Sequence, residues 1–210
     1  MTEPREKPIS FSAPMVLAIL DGRKTQTRRV AKLTIAGHVK EPRGHRRWHP
    51  GDPEAVLACP YGQPGDRLWV KETWQAVGLS RDPESMQVDD VCECPPEAVK
   101  REMSGEARRY PQTGIIYRAS CDDEFLKWRP SIFMPRWASR IALEITDVRV
   151  QRVQEISETD AIAELGGRAA GIVNEIGHFA ELWDTLYAKR GYSWESNLWV
   201  WAITFKRIKP

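Results

Sequence analysis

Long hydrophobic runs are absent from this 210-residue chain. No stretch approaches the ~18 uninterrupted apolar residues of a membrane-crossing helix, so no membrane span is expected. The opening residues, MTEPREKPIS, lack the apolar segment of a secretory signal, which makes the cytoplasm the expected compartment. Cysteine is sparse. The four present, Cys59, Cys92, Cys94 and Cys121, would be thiols in that reducing compartment, which excludes a disulfide-held scaffold. They lack two CxxC knuckles, so unpaired thiols outweigh a zinc site built from all four. The histidines, His38, His45, His49 and His178, show no metal-ligand spacing and read as surface residues. Neither a metal nor a cofactor is expected. No internal repeat or low-complexity tract occurs.

Net charge is also small, at +2, but it is unevenly spread. Gly22 to Arg47 holds nine Lys/Arg against one acid, Glu41, whereas Asp82 to Glu102 holds seven acids against two bases. A basic segment on a near-neutral chain suits a polyanion. Clustered carboxylates are missing from that segment, which argues against a metal-dependent nuclease. Tryptophan, by contrast, is plentiful, with nine residues. Most are expected in the core of one domain, with one or two available to stack on a base.

Ser12 to about Asp21 reads as a short helix, with Pro14 in its first turn and Gly22 as its stop. Residues 31–64 read as loop and 79–113 as an acidic, aperiodic insertion. RLWVKETW and GIIYRAS read as strands. RIALEITDVRVQRV places Ile141, Leu143 and Ile145 on one face, then Val148 and Val150 after a register change such as a bulge. Ser157 followed by Asp160 resembles a capping box and opens a helix to about Leu165, ended by Gly166-Gly167. Phe179, Leu182, Trp183 and Leu186 recur at helical spacing, so 177–189 reads as an amphipathic helix. In LWVWAITFKRI, Trp199, Trp201, Ile203 and Phe205 alternate as one strand face. Strands do not alternate with long helices. The expected class is therefore α+β, a small mixed β-barrel with helices packed at its openings.

The most chemically loaded stretch is KTQTRR, Lys24 to Arg29. Lys24 and Thr27 are three apart, so a regular strand would point them to opposite faces. They converge only if the chain turns between them as it leaves the helix.

Four segments in order, ILDGRKTQTRR, PGDRLWVKETW, RPSIFMPRWASRIALEITDVRVQRVQEIS and LWVWAITFKRI, resemble the ASCH domain family. The likeness is strongest to the group found in bacteriophage and prophage proteins, for which the compartment would be the host cytoplasm. It spans most of the chain outside 31–58 and 79–113, and implies a single domain over 1–210 with insertions there. The resemblance further implies a PUA-like barrel, a fold that often binds RNA. One branch of the family consists of small bacterial N4-acetylcytidine amidohydrolases marked by L-x-G-R-K-T-x-T, matched here from Leu20 to Thr27. Carried over position by position, the catalytic candidates are Lys24, Thr27 and Glu164, with Glu158 as the other register for the glutamate. Other ASCH proteins have been described as ribonucleases.

Amide hydrolysis needs a nucleophile, a proton carrier and stabilisation of an oxyanion. Thr27 can supply a hydroxyl, and Lys24 can accept its proton if burial or nearby cations lower its pKa. Alternatively Lys24 stays charged, pairs with Glu164 and polarises the acyl oxygen. Arg23, Arg28, Arg29, Arg67, Glu72 and Trp74 are the candidates for binding substrate or nucleic acid. Three functions follow as expectations. The first is a hydrolase of a modified nucleoside or nucleotide. The second is a non-catalytic RNA- or nucleic-acid-binding module, with Lys24, Arg28, Arg29, Arg46 and Arg47 on phosphates. The third is a metal-independent ribonuclease. The expected partner is a modified nucleoside or RNA; the oligomeric state is not readable.

Overall fold

Local sequence rules account for where the helices begin and end. The computed structural model describes residues 4–34, 36–40, 46–79, 91–93, 113–121, 127–167 and 174–208. Helix α1 spans Ala13–Leu20. Its first intrahelical bond runs from Val16 N to Ser12 O, and Pro14 occupies the first turn, where no N–H is needed. Gly22, at φ +74°, ends it. Helix α2 spans Glu158–Leu165, with the Ser157 hydroxyl accepting from Asp160 N and Gly166 closing it at φ +84°. Helix α3 spans Glu175–Tyr187 behind an Asn174 cap.

Ten strands complete the inventory among the described residues: β1 (Glu6–Ser10), β2 (Gln26–Val30), β3 (Val39–Lys40), β4 (Arg47–Trp48), β5 (Arg67–Lys71), β6 (Trp74–Leu79), β7 (Val91–Glu93), β8 (Thr113–Tyr117), β9 (Ala142–Arg152) and β10 (Trp199–Ile208). The largest sheet has the order β1-β5-β9-β10-β2, and its β5–β9, β9–β10 and β10–β2 ladders are antiparallel. β3 pairs with β4, and β6 is flanked by β7 and β8. The chain is thus a mixed α+β fold. The five-stranded order leaves β1 and β2 as its ends, and no closed barrel forms among the described residues.

The register change expected in β9 is a bulge. Thr204 pairs with Asp147 and Phe205 with Ile145, leaving Thr146 as the extra residue. Leu143 and Ile145 before it, and Val148 after it, are buried, while Thr146 and Asp147 are exposed. β10 departs from simple alternation. Val200, Trp201, Ala202 and Ile203 are all buried in succession, because this strand lies between β9 and β2 and both its faces are covered. Residues 31–64, read as loop, contain the β3–β4 ladder and a 3-10 turn at Pro53–Ala58. Two-residue strands are too short to show a period. Of the 79–113 stretch, only Leu79, Val91–Glu93 and Thr113 fall within the described residues.

The chain divides into two compact units. The first takes its described residues from Met1–Ile9, Ala18–Trp69 and Ile141–Pro210, the second from Ser10–Leu17 and Val70–Arg140. In the first, Val153, Ile156, Ala161, Phe179, Trp183 and Val200 form a core beneath α2 and α3. Each buried Phe or Trp there contributes about 2–3 kcal/mol of apolar transfer. In the second, Trp74, Ala76, Met134 and Ala138 form the core, with Trp137 set edge-on to Trp74 at 6.2 Å.

Candidate functional site: the free edge of strand β2

β2 ends its sheet, so one row of its backbone groups has no strand partner. In the antiparallel β10–β2 ladder, alternate residues direct their N–H and C=O away from β10. Ala31 N bonds Trp199 O, which places the odd-numbered residues on the paired side and Gln26 and Arg28 on the outward side. Three side chains take up groups of that outward row. The Lys24 ammonium donates to Gln26 O at 2.8 Å. Glu164 Oε1 accepts from Arg28 N at 3.0 Å. Arg29 Nη1 donates to Arg28 O at 3.1 Å.

Lys24 reaches this edge because the chain turns after α1. Arg23 N and Lys24 N both bond Ala18 O, and Thr25 is held between Ala163 O and Phe205 N. From there Lys24 Nζ contacts Glu164 twice, through the backbone oxygen and through Oε1 at 3.3 Å. Gly166 permits this approach. A Cβ on it would lie 2.6 Å from the Ala18 Cβ and 3.5 Å from the Lys24 Cβ, and its positive φ disfavours any side chain. Arg23 braces the same turn, donating to Gly166 O while pairing with Asp21 at 2.7 Å.

One face of β2 carries Gln26 and Arg28 toward α2. Asp160 and Glu164, four apart on that helix, receive them together. Arg28 donates to Asp160 at 3.0 Å, to Glu164 Oε2 at 3.3 Å and to Gln26 Oε1 at 2.6 Å. Gln26 Nε2 and Arg149 also donate to Asp160, each at 3.0 Å. The Arg28 guanidinium lies over the Phe179 ring at 5.8 Å. Thr27 and Arg29 occupy the opposite face, where Arg29 Nη1 donates to Thr27 Oγ1 at 2.8 Å.

Burial gives these groups their electrostatic character. Lys24 is 2 % exposed, Thr27 0 % and Glu164 4 %. Burial pulls the Lys24 amine below its ordinary 10.5; the Glu164 carboxylate opposes this, while Arg29 and Arg28 add to the lowering. Asp160 shows the reverse balance. Burial pushes its carboxyl up, but the Gln26 hydrogen bond and the Arg149 and Arg28 cations hold it below 3.8.

The structure therefore brings Lys24 and Glu164 together, whereas Glu158 is exposed at the start of α2. Thr27 is not brought into that pair: it lies on the opposite face of β2, where Arg29 binds its hydroxyl and also donates to Arg28 O. Arg28, expected on phosphates or as solvated support, is 1 % exposed and engaged with Gln26, Asp160 and Glu164, because the carboxylates of α2 cover its face of the strand. The other binding candidates make other contacts. Arg67 is exposed on β5 opposite Glu144. In the second unit Glu72 is buried and held by Arg140 through two bonds of 2.9 Å, and Trp74 is a 2 % exposed core residue. Among the described residues no cluster of His, Cys, Asp and Glu suits a metal ion; Cys94 and His45 lie outside them. Gln26, Asp160 and Arg149 escaped sequence reasoning. The one available signal was the Asp160/Glu164 spacing on a single helix face, read instead for capping. Among the described residues, no helix is long and apolar enough to cross a membrane.

No family model matches the chain, and no curated protein matches it. Among solved structures, a protein from Enterococcus faecalis V583 described under the family model DUF984 aligns with 100 % of this chain and 82 % of its own, at 9 % identity and a TM-score of 0.41. A likeness of that size carries no argument about fold or function.

Proposed function

We propose that this chain is an ASCH-type protein of PUA-like ancestry that hydrolyses an amide on a modified nucleoside, most simply N4-acetylcytidine to cytidine and acetate. The observation that carries the reading is the desolvated Lys24 amine set 3.3 Å from Glu164, at the position the L-x-G-R-K-T-x-T resemblance marks for function. An amine lowered by burial is available as a base nearer neutral pH than an exposed lysine. In this reading opening of the β2 edge brings the Lys24 amine to the Thr27 side of the strand, Thr27 Oγ adds to the acetyl carbonyl and its proton passes to Lys24. The C–N bond breaks as Lys24 returns that proton to the leaving N4 amine. Water then adds to the acetyl-threonine and releases acetate, restoring the hydroxyl. Glu164 holds Lys24 in place and keeps its pKa from falling as far as burial alone would take it. With all three groups nearly inaccessible, substrate entry requires local opening at the β2 edge, where α2 supplies the covering side chains.

The test is incubation with N4-acetylcytidine, reading cytidine and acetate, with mass analysis of Thr27 for an acetyl adduct. No turnover by the wild type, or full activity in Lys24→Ala and Thr27→Ala, rejects the reading. One observation favours a second reading: the Lys24, Glu164 and Arg29 side chains already satisfy backbone groups of an edge strand, a structural task. The chain would then be a non-catalytic nucleic-acid-binding module that uses exposed bases such as Arg46 and Arg47. It would bind RNA with steep salt dependence and leave it unchanged.

A further inference from the structure

Thr27 and Lys24 lie on different sides of β2, and one residue reaches both the face and the edge. Thr27 projects to the face of β2 away from Gln26 and Arg28, whereas Lys24 lies along the strand's free edge. Arg29 alone among the described contacts touches both places: its Nη1 donates to Thr27 Oγ1 on the face and to Arg28 O on the edge. Gln26 O, which Lys24 holds, and Arg28 O, which Arg29 holds, are two residues apart on one strand, about 7 Å. Glu164 Oε1 sits between them on Arg28 N. The edge thus carries an ordered row of ammonium, carboxylate and guanidinium, and the buried hydroxyl hangs from the guanidinium.

We propose that Arg29 is the positioning residue of this site: it fixes the Thr27 hydroxyl through Nη1 and sets a permanent cation on the same strand edge that Lys24 occupies. This assignment rests on the hydrolase reading. As an acceptor from Nη1, Thr27 Oγ must direct its only proton elsewhere, and the adjacent cation stabilises the alkoxide character that develops as the proton leaves. The same cation opposes protonation of Lys24, reinforcing the effect of burial. Other charged and titratable groups face this ensemble from every neighbouring element. Arg28 lies on β2, Asp160 and Glu164 on α2, Arg149 on β9, and Arg23 on the turn. Tyr61, whose hydroxyl burial pushes above its ordinary pKa, faces Arg29, with Tyr187 of α3 beside it. Asp160 is taken up by Arg28, Arg149 and Gln26, and Glu164 is shared between Lys24 and Arg28. The described bonds of Arg29 go to Thr27 Oγ1 and Arg28 O, so its replacement leaves the bonds to Asp160 and Glu164 in place.

Two variants separate its roles. Arg29→Lys keeps the charge and loses the fork that holds Thr27; Arg29→Gln loses the charge as well. Lys24 is titrated by NMR in protein carrying 13C-lysine, with its resonance assigned from Lys24→Arg. In Arg29→Gln the midpoint moves to higher pH, and the ratio of neutral to charged Lys24 at a fixed pH on the rising limb falls about tenfold. In Arg29→Lys it stays with the wild type. With N4-acetylcytidine, Arg29→Lys lowers kcat about tenfold with KM unchanged, because Thr27 alone is released. A midpoint unchanged in Arg29→Gln, or wild-type kcat in Arg29→Lys, overturns the assignment. If Arg29→Gln does not fold, Arg29→Lys still decides the Thr27 half through kcat. A wild type without turnover rejects the hydrolase reading, and the substrate-free titration then decides whether Arg29 sets the charge of Lys24.

Discussion

Glu72 and Glu164 are both nearly inaccessible, at 1 % and 4 % exposure, and each meets a cation, yet the two environments differ in kind. In the second unit, Arg140 grips both oxygens of Glu72 at 2.9 Å in a planar fork and lies 4.0 Å over the Tyr117 ring, whose hydroxyl bonds Ala138 O. Matched shape and two strong bonds make a fixed brace. In the first unit, Lys24 meets Glu164 through one 3.3 Å side-chain contact, and the carboxylate is shared with Arg28 N and the Arg28 guanidinium. A point charge beside a shared carboxylate holds geometry less firmly and is free to change protonation state. Both are buried pairs; the second unit's suits stability, the first unit's suits proton movement.

Breaking each pair should separate these roles. On the proposed hydrolase reading, the largest effect is expected for Lys24→Met, which keeps most of the volume: hydrolysis of N4-acetylcytidine falls about 10²–10⁴-fold. Glu72→Gln should leave kcat within about twofold in the protein that folds, and lower stability by about 2–3 kcal/mol, less than for a fully enclosed pair because Arg140 is 27 % exposed. Denaturant melts and turnover assays on the two variants read both quantities. If Glu72→Gln loses activity without losing stability, the brace assignment fails.

Next in size is Gly166→Ala, which meets the Ala18 Cβ and a left-handed backbone together. It should cost about 3 kcal/mol and lower activity by moving Glu164 from Lys24, whereas Gly22→Ala, with nothing within 4 Å, should cost only about 1–2 kcal/mol. Urea midpoints compare them. Ser157→Ala, which removes the α2 cap, should cost about 1 kcal/mol with little change in kcat.

Alkaline pH sharpens the comparison through sign. Lys24 has a folded pKa below its unfolded 10.5, so the unfolded chain binds more protons in that interval. Its contribution to stability therefore rises with pH from the lowered folded value up to 10.5. Burial pushes Tyr117 from 10.0 to about 12, so the folded state keeps a proton that the unfolded chain releases. Its contribution falls as pH rises from about 10 toward 12. Melts of Lys24→Met and Tyr117→Phe against wild type across this range should change the slope in opposite directions. Slopes altered with the same sign would contradict the two environments.

The elements with strong local rules were legible. The capped α2, the α1 stop at Gly22, the β9 register change and the amphipathic α3 all depend on residues within a few positions of each other. β3 and β4 were missed because two-residue strands have no period, and the continuous burial of β10 was missed because it depends on which strands flank it. The contact between Lys24 and Glu164 joins two residues that the resemblance had singled out. Arg28 was misread as a surface cation because nothing near it in sequence reveals that Asp160 and Glu164 come down on it.

KTQTRR, the Gly22 turn and the Asp160/Glu164 spacing determined that a lysine at the turn, a threonine on β2 and two carboxylates together on α2 would be available. Tertiary structure alone decided that β2 would be an edge strand. That placement left Gln26 O, Arg28 N and Arg28 O without a neighbouring strand. Buried backbone groups must find partners, so Lys24, Glu164 and Arg29 were drawn into one row from positions up to 140 residues apart.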